Sequence, residues 1–304
     1  MRDFRGLLRA GKALYLDSPR QDREARNTLA ELERSSGVAV EYGLGTPQSS
    51  SLPIDVLIPV IDKDADSLPF VIDSARTELR HPLGTIFLVC PEASPRIKEI
   101  ARDRSCTTID EAGLLPIGKK DIAYAPKGVN RSGWIYQQFL KWCGDSFVSQ
   151  RHYLILDSDT VLIRPHVFEA EGRQIFDCCD EVHHPYFAAA ERVLGRRPSS
   201  SVSFTSHHAL IDLGVMAELK AELEARHGRA WYEAIIRCLD PQEISSHSDY
   251  DTYGFHYFER HREAMKVRYW YNKSLRRADL TDLEGLKKIY KSRYRTLSFH
   301  EHRK

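Results

Sequence analysis

Four Asp-x-Asp pairs punctuate the 304-residue sequence: Asp62/Asp64, Asp64/Asp66, Asp157/Asp159 and Asp249/Asp251. The pattern alone carries little information, so context must separate the pairs. Asp157-Ser158-Asp159 directly follows the apolar run Tyr153–Leu156, which reads as a central strand. In open α/β sheets ligands bind outside the carboxyl ends of strands, where a rigid element delivers a side chain to solvent. Two carboxylates held there repel one another unless a cation lies between them. A divalent ion, Mn²⁺ or Mg²⁺, bound to a diphosphate meets that need, because it prefers oxygen ligands and shares its shell with substrate phosphates. The competing reading is a strand-end turn in which Asp caps backbone N–H groups.

The other pairs divide differently. Asp62-Lys63-Asp64-Ala65-Asp66 suggests a calcium loop, but Ser67 and Asp73 stand where an EF-hand needs Gly and Glu. A solvated helix N-terminus suits these acids, and their place after a strand leaves Asp62 or Asp64 able to touch a nucleotide. Asp249 and Asp251 are candidates for a general base, with Glu243 a further one; an inverting transfer requires a carboxylate to accept the acceptor's proton. Gln137, Gln138 and Lys141 share a helix that opens at Gly133, and can donate to sugar hydroxyls or phosphates, or form a polar outer face. Lys127 and Arg131, in the loop before it, are candidate diphosphate contacts. In extended geometry His207 and His208 point to opposite faces, so one lines a cleft while the other is structural. Cys178-Cys179 beside His183-His184 reads as crowded core and loop rather than a soft-metal cluster.

These groups need a scaffold. Residues 54–60 form a short buried strand, and Leu68, Ile72, Ala75 and Leu79 recur at helical spacing. Strands at 85–90 and 106–109 alternate with a helix at 95–104, and a helix at 133–143 leads into the strand at 153–156. Such alternation implies right-handed crossovers and a mostly parallel sheet flanked by helices, an α/β fold. Residues 1–50 read as a helical extension and linker, 51–260 as the catalytic domain, and 261–304 as a basic, aromatic extension packed on it.

The motifs now support a comparison. Tyr153-Leu154-Ile155-Leu156-Asp157-Ser158-Asp159-Thr160-Val161 resembles the metal-binding strand of nucleotide-sugar glycosyltransferases with the GT-A fold. Gly133-Trp134-Ile135-Tyr136-Gln137-Gln138-Phe139-Leu140-Lys141 is similar to the helix leading into that strand in a bacterial group of glycosyltransferase-like proteins. Ser248-Asp249-Tyr250-Asp251-Thr252-Tyr253-Gly254 is similar to a later element of the same group. The resemblance spans roughly residues 54–256 and implies a GT-A-like fold with helical N- and C-terminal additions. It further implies metal-dependent transfer of a sugar from a nucleotide-diphosphate donor to a glycan or lipid-linked acceptor, in surface polysaccharide synthesis. Asp159 would be the main metal ligand, with Asp157 facing the donor and the metal. His300 or His302 would supply a third ligand, against the alternative of a solvated chain end. Asp249 stands where relatives tend to carry an acid.

Composition narrows the alternatives. Apolar residues make up 42% and charged residues 29%, which excludes a disordered chain. Lys plus Arg is 44 against 43 for Asp plus Glu, so overall charge names no partner. From Arg260 onward, however, 14 basic residues face 5 acidic ones, a tail suited to phosphates or anionic lipid. No RNA-binding signature accompanies it, so nucleic acid is not an expected partner. The six cysteines have no framework spacing and read as reduced, in a cytoplasmic protein. No apolar leader opens the sequence and no run is long enough to span a bilayer, so any membrane contact is expected to be peripheral. A nucleotidyltransferase is the runner-up, weakened by the lack of glycine in Val60-Ile61-Asp62-Lys63-Asp64. A catalytically inactive binding module is the third reading.

Overall fold

The structure is a computed structural model that describes residues 22–45, 49–179 and 183–300. His302 therefore lies outside the described residues, as does the start of the N-terminal extension. In chain order the main elements are a helix α1 through 22–36, β1 (Ala39–Glu41), β2 (Ile54–Pro59), α2 (Leu68–Glu78), β3 (Leu83–Cys90), α3 (Pro95–Asp103), β4 (Thr107–Asp110) and α4 (Ser132–Lys141). There follow β5 (His152–Leu156), β6 (Thr160–Leu162), β7 (Glu169–Ala170), β8 (Arg173–Cys178), α5 (His184–Leu194) and β9 (His208–Asp212). The remainder comprises α6 (Leu213–His227), α7 (Trp231–Cys238), α8 (Asp249–Arg260), β10 (Met265–Tyr269), β11 (Asn272–Arg276), α9 (Leu283–Tyr290) and β12 (Thr296–His300).

Three sheets result, and most of their pairings are parallel. The central one has the order β4-β3-β2-β5-β9, parallel except for the edge strand β9. Every residue of β2 is buried, as expected of a strand covered on both faces. Its one charged residue, Asp55, accepts from the backbone N–H groups of Thr85 (2.7 Å), Ser149 (2.7 Å) and Gln150 (3.0 Å), which locks the strand to its neighbours. Chain order runs outward from β2 to β3 and β4, then returns to β5 on the other side. The carboxyl ends of β2 and β5 thus bracket a topological switch point, the place where such sheets open a crevice.

The second sheet, β1-β10-β8-β7, and the third, β11-β12-β6, use strands from both ends of the chain. Strand β1 falls inside the stretch expected as helix and linker, and pairs in parallel with β10. The C-terminal addition carries three strands beside α9. The charges of its basic tail are largely matched internally, contrary to the open cationic patch expected from composition. Arg268, fully buried, bonds both oxygens of Asp177 at 2.7 and 2.9 Å. Arg295 meets Glu41 at 3.3 Å, Lys266 meets Glu171 at 2.8 Å, and Arg276 meets Asp279 at 2.8 Å. All six cysteines are free. Among the described residues no helix is long and apolar enough to cross a membrane.

Candidate active site

A cleft of about 480 Å³ opens at the switch point, within the usual range for small-molecule sites. Its floor is the end of β2 (Pro59, Val60, Ile61), Val89 of β3 and the turn Asp157-Ser158-Asp159 after β5. The turn is fixed at three points. Asp157 N–H donates to His207 O (3.0 Å), Ser67 Oγ donates to Ser158 O (2.8 Å), and Phe299 N–H donates to Asp159 O (2.8 Å).

Pairing between strands explains which side chains meet there. β12 runs antiparallel to β6 with Ser298 opposite Thr160, so His300 arrives beside Asp159, Nδ1 to Oδ2 at 3.3 Å. β9 runs antiparallel to β5 with His208 opposite Leu156, which puts His207 beside Asp157, Nδ1 to Oδ2 at 3.1 Å. His207 has φ = 57°, a left-handed backbone uncommon for a residue with a side chain. Such strain concentrates where function over-determines a conformation. Its neighbour His208 is buried on the other side, 2.8 Å from Asp177. The rings of His207 and His300 stand 5.3 Å apart, with Trp270 behind His207 at 5.1 Å.

Asp157 and Asp159 differ in their surroundings. Asp157 accepts from Tyr250 Oη (2.8 Å) and pairs with Lys141 Nζ (2.8 Å). Burial pushes its carboxyl up, but Lys141 and His207 outweigh that and hold it well below the usual carboxylate range. The same pairing works in reverse on His207, whose burial is outweighed by Asp157 so that its imidazole is raised. Lys141 is 4% exposed, and also meets Asp249 Oδ2 at 3.4 Å. Asp159 has no such counter-charge; His300 is its only ion-pair partner among the described residues. Ligand atoms of Asp157, Asp159 and His207 lie within 4.8 Å of one another. Two carboxylates and an imidazole, with His300 alongside, form a mixed oxygen–nitrogen donor set that fits Mn²⁺ better than the all-oxygen preference of Mg²⁺.

The remaining expected residues divide into those at the cleft and those away from it. Asp64, Arg131 and Gln137 line it. Asp64 is taken up by Arg277, whose guanidinium also bonds Lys63 O. Arg131 lies 4.1 Å over the Trp134 ring, and its Nε donates to Ile244 O (3.3 Å). Gln138 is buried beneath the cleft, where its Oε1 accepts from Asp249 N–H (2.8 Å). Asp62 and Lys127 are exposed and do not line the cleft.

The three candidate bases are also placed away from it. Asp249 is buried behind Lys141, and burial pushes its carboxyl up to about 6. Asp251, fully buried, accepts from Phe204 N–H (2.6 Å) and Ser203 Oγ (2.9 Å), so it anchors the segment before β9. Glu243 bonds its own loop, accepting from Ser245 N–H at 3.2 Å. Residue-type reasoning had assigned these acids to proton transfer because it could not see their burial.

Several cleft residues were not singled out from the sequence. Tyr250 was passed over although it lies between two acids; its role depends on α8 turning it toward Asp157. Arg277 belonged to the basic tail without any marker separating it from its neighbours. Glu111 and Lys119, 4.0 Å apart, come from an irregular loop that offered no pattern at all.

The chain belongs to a family of unknown function, DUF6492, whose model matches residues 75–299. No curated protein matches it. Among solved structures it is similar to mouse xyloside xylosyltransferase 1 in its apo form, at 14% identity and a TM-score of 0.45, over 82% of this chain and 98% of that one. It is also similar to the galactosyltransferase LgtC in complex with donor and acceptor sugar analogues, at 11% identity and a TM-score of 0.41, over 82% and 88%. A third is glucosyl-3-phosphoglycerate synthase from Mycobacterium tuberculosis, in complex with Mn²⁺, uridine diphosphate and phosphoglyceric acid. There the identity is 12% and the TM-score 0.39, over 76% of each chain. The chain resembles GT-A glycosyltransferases.

Proposed function

We propose that the protein is a metal-dependent glycosyltransferase that moves a sugar from a nucleoside-diphosphate donor to a glycan or lipid-linked acceptor at the cytoplasmic face of a membrane. One observation carries this reading: Asp157, Asp159, His207 and His300 converge at the switch point of a mostly parallel sheet, facing a cleft that also holds Arg277, Lys63 and Lys119. Asp159 and His300 would hold the ion with Asp157 or His207 completing the set. When bound, the ion supplies positive charge to the diphosphate leaving group.

The chain's own residues do the rest. Lys141 and Tyr250 keep Asp157 ionised and oriented, so the carboxylate facing the cleft needs no reorganisation when a ligand arrives. Arg277, Lys119 and Arg131 provide cationic contacts for phosphate oxygens. Asp249 acts through Lys141 as a positioning residue. Glu111, on the cleft wall with a carboxyl raised by burial, is the acid nearest the space left for an acceptor.

The test is a thermal-shift screen of nucleoside diphosphates with and without Mn²⁺, on the wild type and on Asp159→Asn. A ligand at a hundred times its Kd stabilises by about 2.7 kcal/mol. One diphosphate should shift the wild type only with Mn²⁺, and the shift should vanish in the variant. Absence of any such shift in folded wild type would reject the donor site and favour the binding-module reading.

A further inference from the structure

A second constellation lies away from the cleft, where the end of α8 meets α6. Glu218 of α6, His256 of α8 and His261 just past it offer ligand atoms all within 4.8 Å of one another. We propose that these three residues form a second metal site, for a zinc-type divalent ion with mixed nitrogen and oxygen ligands.

The geometry is specific about which atoms face inward. His256 Nε2 lies 3.5 Å from Glu218 Oε1, and His261 Nε2 lies 2.9 Å from Glu218 Oε2. Residues five apart on a continuous helix would point about 140° from one another. Here α8 ends at Arg260, and His261 leaves the helical path with φ = −131° and ψ = 30°, which brings its ring back toward His256. His256 is fully buried, yet neither ring nitrogen has a hydrogen-bond partner. A buried imidazole without a partner is costly, and a metal on Nε2 would satisfy it.

The outer side of that ring is also provided for. His256 Nδ1 stands 3.3 Å from Glu222 Oε2, and Arg196 and Arg260 hold that carboxylate in turn. A metal-bound histidine whose other nitrogen faces a carboxylate is the usual supporting arrangement, because it fixes ring orientation and raises ligand basicity. The two arginines sit on Glu222, so the charge of Glu218 is left to the imidazoles. Around a tetrahedral ion with bonds of roughly 2.0–2.1 Å, donor atoms stand about 3.3 Å apart. The exposed Glu218 and half-buried His261 have the freedom to close on the fixed His256. Three protein ligands at a solvent-reaching site leave a fourth position for water.

The experiment uses the full chain carrying Asp159→Asn, dialysed against chelator, so that the cleft does not contribute. Titration with Zn²⁺ alone should reveal one equivalent bound, and Co²⁺ should develop the visible absorption of a four-coordinate site. Adding His261→Gln or Glu218→Gln, both at solvent-accessible positions, should weaken Zn²⁺ binding at least about 100-fold and abolish the Co²⁺ band. Adding Glu222→Gln should weaken it roughly ten- to a hundredfold. No Zn²⁺ bound by the Asp159→Asn chain, or an equivalent retained unchanged after His261→Gln, would overturn the proposal. Either result leaves the diphosphate screen on the wild type unaffected, so the two sites stand or fall separately.

Discussion

Replacing Lys141 with methionine removes the charge between Asp157 and Asp249 while keeping an unbranched stem. The ammonium lies 2.8 Å from one carboxylate and 3.4 Å from the other. At an effective dielectric of about 20 these separations correspond to roughly 6 and 5 kcal/mol of attraction. Desolvation of three buried charges opposes most of that, and breaking a buried pair by deleting one partner costs about 3–5 kcal/mol. Asp157 retains His207 and Tyr250, whereas Asp249 retains no cation. Its carboxyl, already raised to about 6 by burial, rises further without the lysine. A raised carboxyl means that the folded variant takes up a proton as pH falls, so acid stabilises the variant relative to the wild type. Urea unfolding should therefore show Lys141→Met losing about 3–5 kcal/mol at pH 7.5 and appreciably less at pH 5. Adding Asp249→Asn should restore part of the loss at pH 7.5. A loss below about 1 kcal/mol, or one that is the same at both pH values, would refute the counter-ion role.

Other consequences are simpler to state. Burial depresses the imidazole of His247 to about 3, so its contribution to stability is complete above the unfolded value near 6.5 and is lost as pH falls. Between pH 7 and pH 5 that loss is about 2 kcal/mol, and urea unfolding of His247→Phe should show an acid limb flatter by this amount. Gly254 packs so tightly that a Cβ would lie 2.4 Å from the Phe204 ring. Gly254→Ala should thus destabilise by about 1–3 kcal/mol despite the better helix former, read as a lowered Tm. Arg277→Gln should weaken nucleoside-diphosphate binding about tenfold in a salt-sensitive manner, as measured by calorimetry at two ionic strengths; unchanged affinity would remove Arg277 from the phosphate contacts.

The elements carrying Asp157 and Asp159 were legible because their signals are local. β2 and β5 are unbroken apolar runs, and α2 repeats its apolar residues at helical spacing. α8 was not, because ten of its residues from Asp249 to Phe258 are buried on all sides. A helix with no solvent face shows no amphipathic period. β10, β11 and β12 were hidden by charge: a run such as Met265–Tyr269 alternates basic and apolar residues, and only the burial of Arg268 against Asp177 makes it a core strand. The site divides in the same way. The carboxylate pair follows its own strand, whereas the meeting of His300 with Asp159 depends on pairing between β12 and β6 from distant parts of the chain.

The contrast between the two cleft carboxylates has a consequence for any ion they hold. With Lys141 in place Asp157 is already neutralised, so the turn is stable before a metal arrives. The charge left for the ion comes mainly from Asp159, with imidazole nitrogens as neutral partners. A site with one uncompensated carboxylate attracts a divalent ion less strongly than one with two, and a bound diphosphate then supplies the missing negative charge. Metal and nucleotide should accordingly bind together more tightly than either does alone. By linkage each should raise the other's affinity by the same factor. Calorimetric titration of Mn²⁺ with and without the diphosphate, and of the diphosphate with and without Mn²⁺, measures both sides of that equality. Asp159→Asn, which removes the uncompensated charge, should abolish the coupling while leaving the fold intact. Strong Mn²⁺ binding to the nucleotide-free chain, undiminished by Asp159→Asn, would show that the lysine does not neutralise Asp157 in the way its position indicates.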